Sequence, residues 1–233
     1  MKIAMWSGPR NLSTAMMYSF GNRADFDVMD EPFYAAYLKL SATSHPMGEE
    51  IMRAHETDPD LVAATCAAPA AQHRYMKHMP HHMLETMPMG WADDCVNIHL
   101  IRHPARVIAS YSAKRQNPTL EDIGYVQQTE LFKQVGGYVI DSHDIRKNPE
   151  AALRCLCEVI GLPFSDTMLH WPAGPKEFDG VWASHWYGAV HRSTGFAGAE
   201  GPLPQLEGHA AELCAMALPH YEALKTRKLL ITS

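Results

Sequence analysis

The sequence predicts an α/β fold built on a mostly parallel central sheet with helices on both faces. Three observations carry this expectation. Short apolar runs alternate with helix-forming segments along the whole chain. Each run breaks into a polar turn rich in Gly, Pro, Asp or Arg. The stretches richest in reactive side chains, residues 7–14, 30–34, 77–82 and 102–110, begin where runs end. Parallel sheets bind ligands there, beyond the carboxyl ends of their strands.

The elements follow in order. Residues 2–6 form the first strand, and a helix runs from about Leu12 to Asn22. Residues 26–29 form a short second strand that meets Asp30, Glu31 and Pro32. Residues 33–70 read as Ala-rich helix, broken near His45 and Pro46 and again at Pro59. A third strand covers 74–79 and stops at Pro80, with helix expected over 81–88. Residues 96–101 are the clearest core strand, and a helix starts near Ala105. A fifth strand spans 138–141. Residues 149–160 form an amphipathic helix with Pro at its start and Gly161 at its end. Residues 172–206, rich in Gly, Pro and Trp, read as a long ordered loop before a final helix over 208–225.

Composition narrows the classes. A chain of 233 residues is expected to form one domain with a large core. The net charge of −6 argues against a general nucleic-acid binder, while leaving room for a local basic pocket. No run approaches the roughly 20 apolar residues of a membrane helix. The first apolar run breaks at Gly8 and Pro9, too early for a signal peptide. Five cysteines without a paired framework fit reduced thiols, and a cytoplasmic location is expected.

The segment SGPRNLST, residues 7–14, is a strand-to-helix turn. Such a turn aims backbone N–H groups and the positive end of a helix dipole at one point, which suits an anion. Gly8, Pro9, Arg10, Asn11, Leu12, Ser13 and Thr14 are the candidate ligands, with Arg10 adding a permanent charge and a planar fork of donors. The Gly-Lys of the nucleotide-hydrolase phosphate loop is missing. The plain alternative is a helix capped by Asn11 or Ser13. A second stretch, LIRHPARVIASY over residues 100–111, decides for the anion reading. Arg102 leaves a core strand at its carboxyl end, Arg106 follows four residues on, and Ser110 lies two helical turns along. Two anion stations at adjacent strand ends suit a ligand with two phosphate-like groups.

This combination resembles the sulfotransferases that use 3′-phosphoadenosine 5′-phosphosulfate (PAPS). Residues 9–14 stand where that family has P-[KR]-S-G-T-T around the 5′-phosphosulfate. Arg102, Pro104 and Ser110 match its R-x-P-x-x-x-x-x-S pattern for the 3′-phosphate. Residues 144–171 and 186–196 resemble its late helix and the loop that closes over the nucleotide. The resemblance implies a three-layer fold like that of P-loop nucleotide hydrolases, sulfuryl transfer without a metal, and His191, Arg192 and Ser193 as nucleotide-capping residues. Two departures stand out: Leu12 replaces the usual Gly, and Ala15 replaces the Trp that stacks on adenine in cytosolic members.

The acceptor's proton needs a base, which a carboxylate or an imidazole can supply. Glu31 stands where several sulfotransferase groups carry a catalytic Glu. Lys77 and His78 resemble a K-T-H-x-P stretch in which His is the base and Lys touches the transferred group, with one residue missing here. Both bases remain open at this stage. A metal between His78 and His82 is disfavoured by the intervening Pro80. Met76, Met79, Met83 and Met87 are candidates to line an acceptor pocket, and Arg23 and Arg115 read as solvated. The expected activity is sulfuryl transfer to a hydroxyl or amine of a small-molecule acceptor. A kinase-like phosphotransferase and a non-catalytic nucleotide-binding relative are the alternatives.

Overall fold

A computed structural model describes residues 1–112 and 118–231 of the chain. Arg115 lies outside the described residues. Five strands, β1 (Lys2–Ser7), β2 (Phe26–Asp30), β3 (His73–His78), β4 (Val96–Ile101) and β5 (Tyr138–Asp141), form one all-parallel sheet. Their order is β2-β3-β1-β4-β5. The central strands are buried almost throughout, as expected of apolar runs covered on both faces.

Helices surround the sheet: α1 (Ser13–Gly21), α2 (Tyr34–Ser41), α3 (Gly48–Ala54), α4 (Pro59–Ala67), α5 (Pro104–Ser112), α6 (Leu120–Ile123), α7 (Tyr125–Val135), α8 (Ser142–Lys147), α9 (Pro149–Val159), α10 (Ala183–Trp186), α11 (Gly188–His191) and α12 (Gly208–Lys225). Helix α1 packs on β2 and β3, while α7 and α12 pack beside β4. The chain leaves β1 toward β2 on one side and leaves β4 toward β5 on the other. Adjacent strands whose connections diverge open a crevice at their carboxyl ends. That crevice lies between the SGPRNLST turn and Arg102.

Three expectations are corrected. Residues 81–88 are not a helix: a single 3-10 turn covers Pro80–His82, and the chain then turns toward Pro88. Pro80 fixes the start of that turn, and too few residues follow before Pro88 to build an α-helix. Arg23 is not solvated: it is buried, bonding Asp25 (2.9 and 2.8 Å) and the Pro163 carbonyl (2.8 Å). The stretch 172–206 is not loop throughout, because α10 and α11 interrupt it. Among the described residues no helix is long and apolar enough to cross a membrane.

Candidate active site

The turn after β1 is shaped by two residues in the left-handed backbone region, Arg10 (φ 63°) and Leu12 (φ 80°). For residues with a Cβ this conformation costs about 1–2 kcal/mol each. Leu12 therefore keeps the shape that a glycine would take freely. At Gly8 the fold needs a glycine, since a Cβ there would sit 2.7 Å from the Ile123 carbonyl oxygen. Asn11 is buried and donates to the Leu100 carbonyl (3.3 Å), stitching the turn to β4. The N-cap of α1 is Leu12, which makes no side-chain cap, so neither Asn11 nor Ser13 fills the plain alternative of a capping residue. The first turn of α1, with Ser13 and Thr14, instead lines a cavity of about 740 Å³. Uncapped N–H groups and the helix dipole make that end electropositive.

The end of β4 meets this turn directly. Arg10 Nε donates to Ser110 Oγ (2.9 Å), and Arg102 Nη1 donates to the Arg10 carbonyl (2.6 Å). The two motifs, about ninety residues apart in sequence, form one rim of the cavity. Arg146 from α8 joins them on the cavity wall. Behind the rim lies the carboxylate of Glu200. Arg102 donates to it from Nε (3.0 Å) and Nη2 (2.5 Å), and Arg146 Nη1 from 2.9 Å. Arg106 Nε lies 3.0 Å from its other oxygen. Burial pushes the Glu200 carboxyl up, but the Arg102 hydrogen bond and the three arginine charges outweigh it and hold it below the usual carboxylate range. Neither Arg146 nor Glu200 was legible as a site residue. The one hint was the closeness of Arg102, just before α5, to Arg106 in its first turn.

Opposite this rim, Glu31 follows β2 with its backbone at φ 42°. Its side chain is 6% exposed and lines the cavity. Lys77, fully buried at the end of β3, donates to Glu31 Oε1, to Asp30 Oδ1 (3.0 Å) and to the Tyr187 hydroxyl (2.7 Å). Its three donors are thus spent, and it holds Glu31 in place. The Tyr187 hydroxyl turns back to Asp30 (2.8 Å) and accepts from Trp182 Nε1 (3.1 Å). Burial raises the Glu31 carboxyl above its ordinary value, against the opposing charge of Lys77. No hydrogen bond among the described residues holds Glu31 Oε2, and His82 Nδ1 lies 3.9 Å from it.

His78 is placed differently. Its ring stacks 4.6 Å from Trp6 and lies tilted 4.7 Å from Trp91, buried and away from the cavity lining. Burial, reinforced by the Lys77 charge, drives its basicity down to about 3. His82 is sandwiched between Tyr34 (4.4 Å) and Tyr37 (4.8 Å), and it too is pushed well below the ordinary histidine value, chiefly by burial. Of the three late-loop candidates, Ser193 lines the cavity, accepting from Trp171 Nε1 (3.2 Å). His191 is turned toward Asp179 (3.0 Å) and Arg192 is exposed, both off the cavity wall. Of the four methionines, Met79 lines the cavity while Met76 and Met87 are buried in the core. Ala15 lines the wall beside Thr14, with Trp182 and Trp186 on the late segment also facing the cavity.

Fold and site together define an α/β protein with a cavity lined by Arg10, Arg102 and Arg146 at the switch point of its parallel sheet. The chain belongs to the sulfotransferase domain family, whose model matches residues 1–228. The sulfotransferase domain from the curacin biosynthetic pathway shares the fold, with a TM-score of 0.51 at 14% identity over 92% of this chain and 96% of that one. The sulfotransferase domain from the Synechococcus PCC 7002 olefin synthase does likewise, with a TM-score of 0.50 at 19% identity over 93% and 94%. Two Arabidopsis thaliana proteins, branched-chain-amino-acid aminotransferase-like proteins 1 and 2, are each 33% identical over 96% of this chain. The chain spans 41% of the length of each.

Proposed function

We propose that this chain is a PAPS-dependent sulfotransferase that moves a sulfuryl group to a hydroxyl or amine of a small-molecule acceptor, as a single domain in the cytoplasm. The observation that carries the reading is the bonded rim: Arg10 to Ser110, and Arg102 to the Arg10 carbonyl. It joins both expected phosphate motifs at the mouth of one cavity. The uncapped start of α1 with Arg10, Ser13 and Thr14 suits the 5′ end of the donor, and Arg102 with Ser110 suits its 3′-phosphate. When bound, the donor supplies an activated sulfuryl group. The residues of the chain do the rest. Arg10 and the α1 amides stabilise negative charge at the departing phosphate, where oriented dipoles act without reorganising. Glu31 Oε2 takes the acceptor's proton, its basicity raised by burial. Lys77 and Tyr187 fix that carboxylate, and His78 is a packing residue.

The aminotransferase-like name of the plant relatives belongs, on this reading, to the parts of those chains beyond the match. Aminotransfer needs a lysine free to bond a carbonyl carbon. Lys77, the one lysine on this cavity among the described residues, spends its donors on Asp30, Glu31 and Tyr187.

Calorimetric titration without metal tests the proposal. The desulfated product, 3′,5′-adenosine bisphosphate, is expected to bind, and 5′-AMP to bind at least about tenfold more weakly for want of a charge-assisted contact. A preference for ATP with Mg²⁺ would put a phosphotransferase in its place.

A further inference from the structure

The buried carboxylate of Glu200 sits in a seat built for something larger. Arg102, Arg106 and Arg146 converge on it, with the Glu200 side chain only 1% exposed. The fit is uneven. Oε1 takes three N–H donors, two from Arg102 and one from Arg146. Oε2 is buried and, among the described residues, has no well-aligned hydrogen bond, although Arg106 Nε is 3.0 Å away. Three guanidinium groups carry +3 and a carboxylate returns −1. A phosphate monoester brings close to −2 and three oxygens, one for each arginine.

The segment that delivers Glu200 is lightly held. Among the described residues no backbone–backbone hydrogen bond ties residues 196–207 to the rest of the chain. Arg146 Nε grips the Gly198 carbonyl (2.9 Å) and Arg106 grips the Gly201 carbonyl. Around Gly198 and Gly201 the space where a Cβ would stand is open. The neighbours Ala197, Ala199 and Pro202 are exposed. Phe196 against Trp171 and Leu206 in the second core anchor its two ends, so between them the strap is held chiefly by the three arginines, whose bonds an incoming phosphate would replace.

We infer that the Arg102–Arg106–Arg146 cluster is a seat for a dianionic phosphate monoester, and that Glu200 is its internal occupant, displaced when that phosphate binds. This deepens the proposed function, on which it rests, by adding Arg106 and Arg146 to the 3′-phosphate station and by giving the 196–207 strap a competitive role. The Glu200-seated state subtracts from apparent affinity in proportion to its population. Arg102 holds both the Arg10 carbonyl and Glu200, so release of the carboxylate leaves the Arg10 rim intact.

The test compares the wild-type chain with Glu200→Gln and Glu200→Asp by calorimetry with 3′,5′-adenosine bisphosphate and with 5′-AMP, and by thermal shift with inorganic phosphate. Neutralising or shortening the occupant is expected to tighten the bisphosphate roughly tenfold and to leave 5′-AMP unchanged. Inorganic phosphate is expected to raise the melting temperature of the variants more than that of the wild type. Weaker or unchanged bisphosphate binding in a variant that still gains from inorganic phosphate would overturn the competitive role at the nucleotide station. No added phosphate shift in either variant would overturn the seat itself. If no form binds the bisphosphate while the phosphate shift persists, the seat stands and the PAPS reading fails. Should both variants fail to fold, limited proteolysis of the wild type decides. Bisphosphate is expected to speed cleavage within 196–207, and protection there would overturn the displacement.

Discussion

Two glutamates, Glu31 on the cavity wall and Glu200 behind the arginine rim, have side chains that are nearly fully buried, and they are shifted in opposite directions. Glu31 stands among tyrosine, tryptophan and neutral histidine, with one cation, Lys77, that it shares with Asp30. Burial wins, and its carboxyl is raised. Glu200 stands among three arginines, and their charges outweigh the effect of its burial. The balance between desolvation and the cations around it sets the character of each carboxylate. One wall is thereby suited to take a proton and the other to hold an anion.

The sharpest way to break this contrast is Glu31→Gln, which keeps the shape and removes the base. Turnover is expected to fall by about 10²–10⁴, with calorimetric affinity for the bisphosphate nearly unchanged. Full activity would end the role of Glu31. On the other wall, Arg102→Ala removes the hub of the rim and is expected to weaken the bisphosphate by about 100-fold, the scale of lost charge-assisted hydrogen bonds. Equal binding in that variant would detach the rim from the nucleotide.

Two buried histidines of the sheet, on β3 and β4, add a pH dependence to the comparison. His78 is lowered from about 6.5 to about 3 and His99 from about 6.5 to about 4, both mainly by burial. Unfolded chains take up these protons as pH falls below about 6.5, and the folded chain does not until pH 3–4. Stability is therefore full above pH 6.5 and is lost on acidification, by about 1.4 kcal/mol per histidine per pH unit. Urea unfolding at pH 7, 6 and 5 measures the slope, and a flat profile would contradict neutral burial. The smallest effect is expected at Leu12. Replacing it by glycine relieves a φ of 80° and should stabilise the fold by about 1 kcal/mol in denaturant melts, whereas Leu12→Ala, still strained, should not.

Much of the frame was legible because it rests on local signals. Apolar runs ending in Gly8, Pro80 or Arg102 mark strand ends, and Pro149 with Gly161 brackets α9. Arg10, Arg102 and Glu31 could be read as candidate site residues because each follows such an end. The illegible parts depend on contacts between distant segments. Glu200 is 98 residues from Arg102, inside a stretch with no periodic pattern. Lys77 lies on the cavity as expected, yet its partner Tyr187 is 110 residues away. His78 shows the converse: adjacent to Lys77 in sequence, it points to the other side of the strand, as successive residues must. Helices α6 and α7 were not read at all. The Thr119–Asp122 capping box that starts α6 is a local signal that could have found it.

A ¹³C NMR titration of the two carboxyl carbons, assigned with Glu31→Gln and Glu200→Gln, reads both sides of the site at once. Glu31 is expected to titrate above the ordinary glutamate range and Glu200 below it. A low midpoint for Glu31, or a high one for Glu200, would contradict the division of the site into a basic wall and an anion-holding wall.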